Sequence, residues 1–145
     1  MKQFQEKRFL PKRSARPDER QELVRAIRAR LALEPDILFA YLHGSFVTED
    51  SFRDIDVGIL TGPDKGFSFE STLTADLSSA LGHEIEVRLL HRAPVEFQMA
   101  VLQGGQLLFC RDEAARRDFI ERVGRRYREY AHFRNLFLEA AGAEP

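Results

Sequence analysis

The amino-acid sequence predicts an α/β domain in which a mixed sheet of about four strands carries packed helices and a long C-terminal helix. Three observations support this fold class. Short apolar runs alternate along the chain with amphipathic stretches of helical period. The 145 residues are enough for one domain with a substantial core. Hydrophobic residues make up 43% of the chain and charged residues 31%, which is ordinary for a globular protein.

Charge and cysteine content exclude several classes of protein. The formal net charge of −1 does not indicate a general nucleic-acid binder. The single cysteine, Cys110, excludes an intramolecular disulfide and a cysteine-based zinc cluster, and we expect it in the core. No apolar run approaches the roughly 18 residues of a membrane helix, and the N-terminus lacks the apolar centre of a signal peptide. We therefore expect a cytoplasmic protein with no membrane partner.

Residues 1–16 form a predicted basic tail that precedes a domain over residues 17–145. The tail contains six lysines and arginines and a single acid. We favour a solvated tail over a nucleic-acid-binding arm. Its apolar residues Phe4, Phe9 and Leu10 nevertheless indicate that part of it packs on something.

The domain begins with a predicted helix. Pro17 suits a first helical turn, and Leu23, Ile27 and Leu31 recur at four-residue spacing to give one apolar stripe. Pro35 ends the pattern, and the first core strand follows it.

Two apolar runs, Ile37–Leu42 and Ile55–Leu60, predict buried strands on either side of a polar loop. The loop begins with Gly-Ser, and an Asp-Ile-Asp triplet leads into the second strand. Because successive strand residues point to opposite faces, Asp54 and Asp56 share one face and lie about 7 Å apart along the strand.

Two carboxylates held side by side repel each other and lose solvation unless a cation neutralises them. Mg²⁺ typically binds one or two carboxylates together with substrate phosphate oxygens. Gly44 has no Cβ, so a phosphate can approach the backbone there, and Ser45 adds a hydroxyl and an N–H group. An isolated Asp-x-Asp is more often a solvated pair, and an isolated Gly-Ser is usually a turn. Their combination between two apolar strands favours a metal and nucleotide site.

This combination resembles the minimal nucleotidyltransferase (MNT) motif of the DNA polymerase β superfamily, which consists of Gly-Ser, a spacer and Asp-x-Asp. The resemblance extends over roughly residues 17–140. It implies the nucleotidyltransferase fold, metal binding by Asp54 and Asp56, and contact of Gly44 and Ser45 with the terminal phosphates of a nucleotide.

A strand–helix–strand unit follows the Asp-x-Asp strand. Apolar residues from Phe69 to Leu81 recur every four residues and predict a helix that ends at Gly82. Residues 83–90 alternate polar and apolar and predict a strand. The helical crossover predicts that this strand runs parallel to a neighbour in the same sheet.

Glu86 is the predicted third acid of the site. If its strand lies beside Asp54 and Asp56, Glu86 completes a cluster of three carboxylates. The MNT resemblance implies the same, because that family carries its third acid within a similar strand, usually as Asp. Glu84 lies on the same strand face and is the competing candidate, and we favour Glu86.

The C-terminal part is predicted to contain a short helix over 94–102, a turn at Gly104-Gly105, a fourth strand over 106–110, and a long helix from Ala114 to about Ala140. An aromatic stripe runs along the long helix at spacings of three and four residues. A helix of this length spans about 40 Å, more than so small a domain can easily cover. We expect its far end to project and to meet a partner or a second copy.

The resemblance implies a nucleotidyltransferase, similar to protein adenylyltransferases, that moves AMP or another NMP from ATP or another NTP to a hydroxyl of a protein or RNA. Asp54, Asp56 and Glu86 would be catalytic and would bind two Mg²⁺ ions about 4 Å apart. Small MNT proteins often act as antitoxins to HEPN ribonuclease toxins, by AMP transfer or by binding, so the resemblance implies a HEPN-type toxin as partner. The net charge gives an RNA acceptor little support.

Two departures from the family pattern leave a second hypothesis open. The loop after Gly-Ser is shorter than the commonest family spacer, and the third acid is Glu. The alternative is a catalytically weak or inactive module of the same fold that neutralises a partner by direct contact through the long helix. In that case the Glu86 carboxylate would turn away, and Arg53 or Arg88 would occupy the metal position.

Overall fold

A computed structural model describes residues 12–142 of the chain. Its strands are β1 (Arg13–Ser14), β2 (Ile37–His43), β3 (Ser51–Phe52), β4 (Ile55–Thr61), β5 (Ile85–Leu89) and β6 (Gln106–Cys110). Its α-helices are α1 (Pro17–Ala32), α2 (Ser45–Thr48), α3 (Phe67–Leu81), α4 (Val95–Gly104) and α5 (Glu113–Ala140), and a short 3₁₀ helix covers Leu90–Arg92. No helix within 12–142 combines the length and apolar character needed to cross a membrane.

The main sheet has four strands in the order β5–β4–β2–β6. Strand β2 is antiparallel to both β4 and β6, whereas β4 and β5 are parallel and are joined through α3. The sheet is therefore mixed, and the predicted fold class is confirmed. The parallel orientation of β5 follows the crossover rule from which it was predicted, and its neighbour is β4.

Helices cover both faces of the sheet. Side chains of α1 and α3, including Ile27, Leu31, Leu73 and Leu77, pack on one face and form the larger core cluster. The other face, which includes Phe39 and Tyr41 of β2, packs against residues of α4 and α5. From Phe39 to Leu42, consecutive β2 residues alternate between the two clusters because strand side chains alternate between the faces of a sheet.

The helix ends agree with the sequence signals. Helix α3 stops at Gly82, which adopts a left-handed conformation with φ of 68°. Asp112 caps α5, since its Oδ1 accepts a hydrogen bond of 3.0 Å from the Ala115 N–H. The predicted start of the long helix is therefore correct to within one residue, and Pro17 opens α1 as expected.

Two expectations need correction or addition. Cys110 is half-buried rather than fully in the core, because β6 ends there and the chain turns away at Arg111. Its partial burial still raises the pKa of the thiol. The sequence also gave no sign of the two-residue ribbon in which β1 pairs with β3. The division of tail from domain at residues 16 and 17 stays a prediction, and Phe4, Phe9 and Leu10 lie outside the described residues.

Helix α5 packs on the domain only along its first half. Phe119 and Val123 are buried against α4 and the sheet. Further along the same helix, the side chains of Phe133 and Phe137 are 69% and 73% exposed. The far end of α5 is therefore free of the core, as its length predicted.

Candidate active site

The three predicted acids lie together at one end of the sheet. Asp54 immediately precedes β4, Asp56 is the second residue of β4, and Glu86 is the second residue of β5. The parallel register places Glu86 directly beside Asp56. One carboxylate oxygen from each residue lies within 4.8 Å of those of the other two, and all three residues are half-buried. The sheet thus brings the three carboxylates into one cluster.

The register also separates Glu86 from its competitor. Ile55 pairs with Ile85, and the Ile55 N–H donates to the carbonyl of Glu84 at 2.8 Å, so Glu84 stands just before the paired segment. Glu84 is exposed and is not a member of the carboxylate cluster found among residues 12–142. Glu86 is therefore the third acid of this cluster.

Gly44 lies against the cluster because β2 runs beside β4 and pairs His43 with Asp56. Gly44 has a φ of 82°, and a Cβ built on it would stand 2.5 Å from Oδ2 of Asp56. A larger residue would therefore both strain the backbone and collide with a carboxylate of the cluster. Ser45 follows as the half-buried first residue of α2. The predicted Gly-Ser pair and the predicted acids occupy one place in the fold.

Arg20 of α1 holds the loop that connects Gly44 to the acids. Its guanidinium donates to the carbonyls of Phe46 at 2.5 Å, Glu49 at 2.9 Å and Asp50 at 2.6 Å. The same guanidinium lies 4.9 Å from the ring centre of Phe46 and 5.3 Å from that of Phe52. One side chain therefore fixes the short loop onto α1. The sequence analysis did not identify Arg20, because its partners are backbone atoms more than 25 residues away.

Phe97 of α4 contacts Arg88 and His43, two residues close to the cluster in the sheet. The Arg88 guanidinium lies 4.3 Å from the centre of the Phe97 ring, and the His43 ring meets Phe97 edge-on at 5.1 Å. Arg88 thus stacks on an aromatic ring, while the Glu86 carboxylate is part of the acid cluster. The arrangement expected of a non-catalytic module, with Glu86 turned away, is not what the structure has.

The donor set of the cluster is compatible with a divalent cation. All three donors are carboxylate oxygens, which are the hard ligands that Mg²⁺ prefers. Three half-buried carboxylates at this separation repel one another, and a divalent cation would offset that repulsion. The close approach at Gly44 places its backbone against the carboxylate of Asp56.

Residues 25–114 match the sequence profile of the family described as polymerase beta, nucleotidyltransferase. The chain belongs to this family. The matched segment contains the Gly-Ser pair and all three acids, and it ends just after α5 begins. The resemblance inferred from the sequence motifs is therefore confirmed for this polymerase beta nucleotidyltransferase, whereas the roles of its individual site residues stay predictions.

Solved structures share the fold. A chain from the crystal structure of the toxin–antitoxin MntA–HepT is 20% identical, with a TM-score of 0.70 over 85% of this chain and 99% of that one. A chain from the complex of a tri-AMPylated Shewanella oneidensis HEPN toxin with an MNT antitoxin is 21% identical, with a TM-score of 0.72 over 86% and 99%. A toxin–antitoxin structure with AMP-PNP gives 21% identity and a TM-score of 0.66 over 85% and 95%. No curated protein sequence matches the chain.

Proposed function

We propose that this chain transfers AMP from ATP to a hydroxyl of a HEPN-type toxin and is the antitoxin of a HEPN/MNT pair. The observation that carries the proposal is the convergence of Asp54, Asp56 and Glu86 beside Gly44 in a polymerase beta nucleotidyltransferase. The structural neighbours support the choice of partner and nucleotide. One of them contains a tri-AMPylated HEPN toxin with an MNT antitoxin, and another contains AMP-PNP. The proposed activity is cytoplasmic, because ATP is available there.

Asp54, Asp56 and Glu86 would hold Mg²⁺, with two ions as the proposed occupancy. When bound, Mg²⁺ supplies positive charge that stabilises the phosphate oxygens of the nucleotide. The pairing of β4 with β5 fixes the backbones of Asp56 and Glu86, and Asp54 directly precedes β4, so the three carboxylates are positioned by the sheet itself. We propose that the terminal phosphates contact Gly44, whose backbone lies beside Asp56, and Ser45, whose hydroxyl and N–H would donate to them.

The transfer itself makes one bond and breaks one. The acceptor hydroxyl oxygen bonds to the α-phosphorus, the bond from that phosphorus to the α–β bridging oxygen breaks, and pyrophosphate leaves. The hydroxyl proton passes to a carboxylate oxygen, for which we propose Glu86. Positioning supplies much of the rate enhancement in such phosphoryl chemistry, so the fixed register of Glu86 against Asp56 is central to the proposal.

The test is transfer of label from α-³²P-ATP with Mg²⁺ to the product of the neighbouring gene and, in parallel, to bulk RNA. Label on the protein that disappears in Asp54→Asn/Asp56→Asn is the expected result. Asp50→Asn is the matched control, because Asp50 is exposed in the same loop and its side chain is not part of the cluster. Label only on RNA would replace the proposed acceptor. No label with any NTP would contradict the enzymatic proposal.

A second candidate function is a binding module that neutralises its partner without catalysis. The specific observation in its favour is the exposed apolar surface on the outer half of α5, where Phe133, Leu136 and Phe137 are 69%, 46% and 73% exposed. This surface would contact the partner or a second copy of the chain. Tight binding of the neighbouring product that survives the double substitution, without any labelling, would establish this candidate. Sedimentation of the isolated chain would detect a homo-oligomer.

A further inference from the structure

Three side chains of α3 form hydrogen bonds to the backbone of β5. An oxygen of Glu70 accepts from the Leu89 N–H at 2.6 Å, and Thr74 Oγ1 accepts from the Val87 N–H at 3.0 Å. Ser78 Oγ accepts from the Ile85 N–H and donates to the Ile85 carbonyl, both at 3.1 Å. We call Glu70, Thr74 and Ser78 the α3 ladder.

The α3 ladder matches the two periodicities of the elements that it joins. Its residues recur every four positions, so they lie along one face of the helix. The bonded N–H groups recur every two positions, so they point to the same edge of the strand. Among residues 12–142, strand β5 is at the edge of the sheet and pairs only with β4, so these N–H groups have no strand partner there. The ladder provides that partner.

The bonded positions alternate with the position that carries the third acid. Residues 85, 87 and 89 bond to the α3 ladder, while Glu86 lies opposite Asp56 in the register with β4. A slip of β5 by one residue would turn the Glu86 side chain to the other face of the sheet. A slip by two residues would bring Glu84 or Arg88 opposite Asp56 instead. The register of β5 therefore decides which side chain enters the cluster.

We propose that Glu70, Thr74 and Ser78 are positioning residues for a divalent-cation site, because they fix the register of β5 that brings Glu86 into the carboxylate cluster. This inference rests on the proposed function only for the identity of the cluster as a metal site. None of the ladder residues belongs to the carboxylate cluster found among residues 12–142. They act through the backbone of β5, and their effect on cation binding requires the Glu86 carboxylate.

The test measures Mn²⁺ affinity of the full chain by calorimetry, with Mn²⁺ as the probe. Thr74→Val removes the acceptor oxygen and nearly preserves the shape of the side chain. We expect it to weaken Mn²⁺ binding about tenfold, the lower end of the effect of losing a residue that orients a metal ligand. Thr74→Ser keeps the hydroxyl and should restore the affinity. Thr72→Val is the matched control, since Thr72 is exposed on the same helix.

A double-mutant comparison separates positioning from a purely structural role. In a Glu86→Gln background, Thr74→Val should cause no further loss of Mn²⁺ affinity, although it still lowers the melting temperature. Hydrogen exchange at the Val87 amide should be faster in Thr74→Val and unchanged in Thr72→Val. If Thr74→Val proves too unstable, Ser78→Ala removes a different rung and carries the same expectations.

The outcomes also separate this inference from the proposed function. Unchanged Mn²⁺ affinity in Thr74→Val despite faster exchange at Val87 would overturn the inference, as would a further tenfold loss in the Glu86→Gln background. Wild-type chain that binds Mn²⁺ with the expected ladder dependence but transfers no AMP would leave the inference standing and contradict the proposed function. Wild-type chain that binds no Mn²⁺ would overturn both.

Discussion

The carboxylate end of the sheet brings charged side chains close together, whereas the outer half of α5 leaves apolar side chains exposed. At the carboxylate end, charged groups that repel one another are brought within 4.8 Å and are held by paired strands, by Gly44 and by the loop that Arg20 binds. On the outer half of α5, aromatic groups that would gain from burial are left more than two-thirds exposed, as Phe133 and Phe137 show.

The carboxylate cluster is positioned by contacts within this chain, whereas the aromatic surface of α5 could be buried only by another molecule. Repulsive geometry persists only where surrounding structure determines it, and here the pairing of β4 with β5 provides that structure. Exposed aromatic surface needs no support from its own domain, and it typically marks a contact with a partner. Under the proposed function, catalysis would take place where the sheet positions charged side chains, and partner contact would take place where apolar side chains are exposed.

The strongest way to break the carboxylate end is to remove one of its charges. Asp56→Asn keeps the size of the side chain, but its neutral amide oxygen binds a divalent cation more weakly than a carboxylate does. We expect AMP transfer to fall about a thousandfold, since metal-ion stabilisation contributes several kcal/mol. Transfer of ³²P label measures this, and Asp50→Asn should retain nearly full activity. Near-normal transfer by the Asp56→Asn variant would show that Asp56 is not a catalytic residue.

The two halves of α5 can be compared directly by truncating one phenylalanine in each. Phe119 is 2% exposed, so Phe119→Ala should lower the free energy of unfolding by about 3 to 5 kcal/mol. Phe137 is 73% exposed, so Phe137→Ala should change it by less than about 0.5 kcal/mol. Urea denaturation measures both. Equal losses in the free energy of unfolding would show that the outer half of α5 packs on its own domain and is not a free surface.

The close approach at Gly44 can be tested with a single methyl group. Gly44→Ala should reduce AMP transfer by about tenfold to a hundredfold, because its Cβ would stand 2.5 Å from Asp56 Oδ2 and its φ of 82° disfavours alanine. Gly66→Ala is the matched control, since Gly66 precedes α3 and has open space around its Cβ position. Activity of Gly44→Ala equal to that of Gly66→Ala would show that the approach is not tight.

The smallest expected effect concerns the loop between Gly44 and the acids. Arg20→Lys keeps the charge but lacks the planar guanidinium that reaches three carbonyls. We expect the free energy of unfolding to fall by about 1 to 2 kcal/mol. The KM for ATP should rise severalfold while kcat changes less, since the loop begins at the Gly-Ser pair. Arg25→Lys, exposed on the same helix, should alter neither quantity. An unchanged KM would show that Arg20 contributes to the stability of the fold and not to nucleotide binding.

The sequence predicted most of what local periodicity and turn chemistry determine. The alternation of apolar runs located β2 and β4, and Gly82 marked the end of α3. The crossover predicted that the Glu86 strand runs parallel to a neighbour, and the structure shows that this neighbour is β4, with Glu86 beside Asp56. These predictions succeed because each depends on residues that are close in sequence or on a topological rule with few exceptions.

Other features depend on contacts that no local pattern reveals. Arg20 resembles the other arginines of α1, and only the packing of α1 on the loop shows that it binds three carbonyls. The spacing of Glu70, Thr74 and Ser78 is visible in the sequence, but their partners are backbone N–H groups of a different element. The ribbon of β1 and β3 is two residues long, too short for periodicity to detect.

The α3 ladder also bears on how molecules of this chain meet each other. The outer strand of a sheet is a template on which strands of other chains can add, and such addition leads to aggregates or fibres. The ladder already occupies three N–H groups of β5. On the opposite outer strand, the Arg28 side chain donates to the Leu108 carbonyl at 2.9 Å. Among residues 12–142, both borders of the sheet are thus partly closed to strand addition.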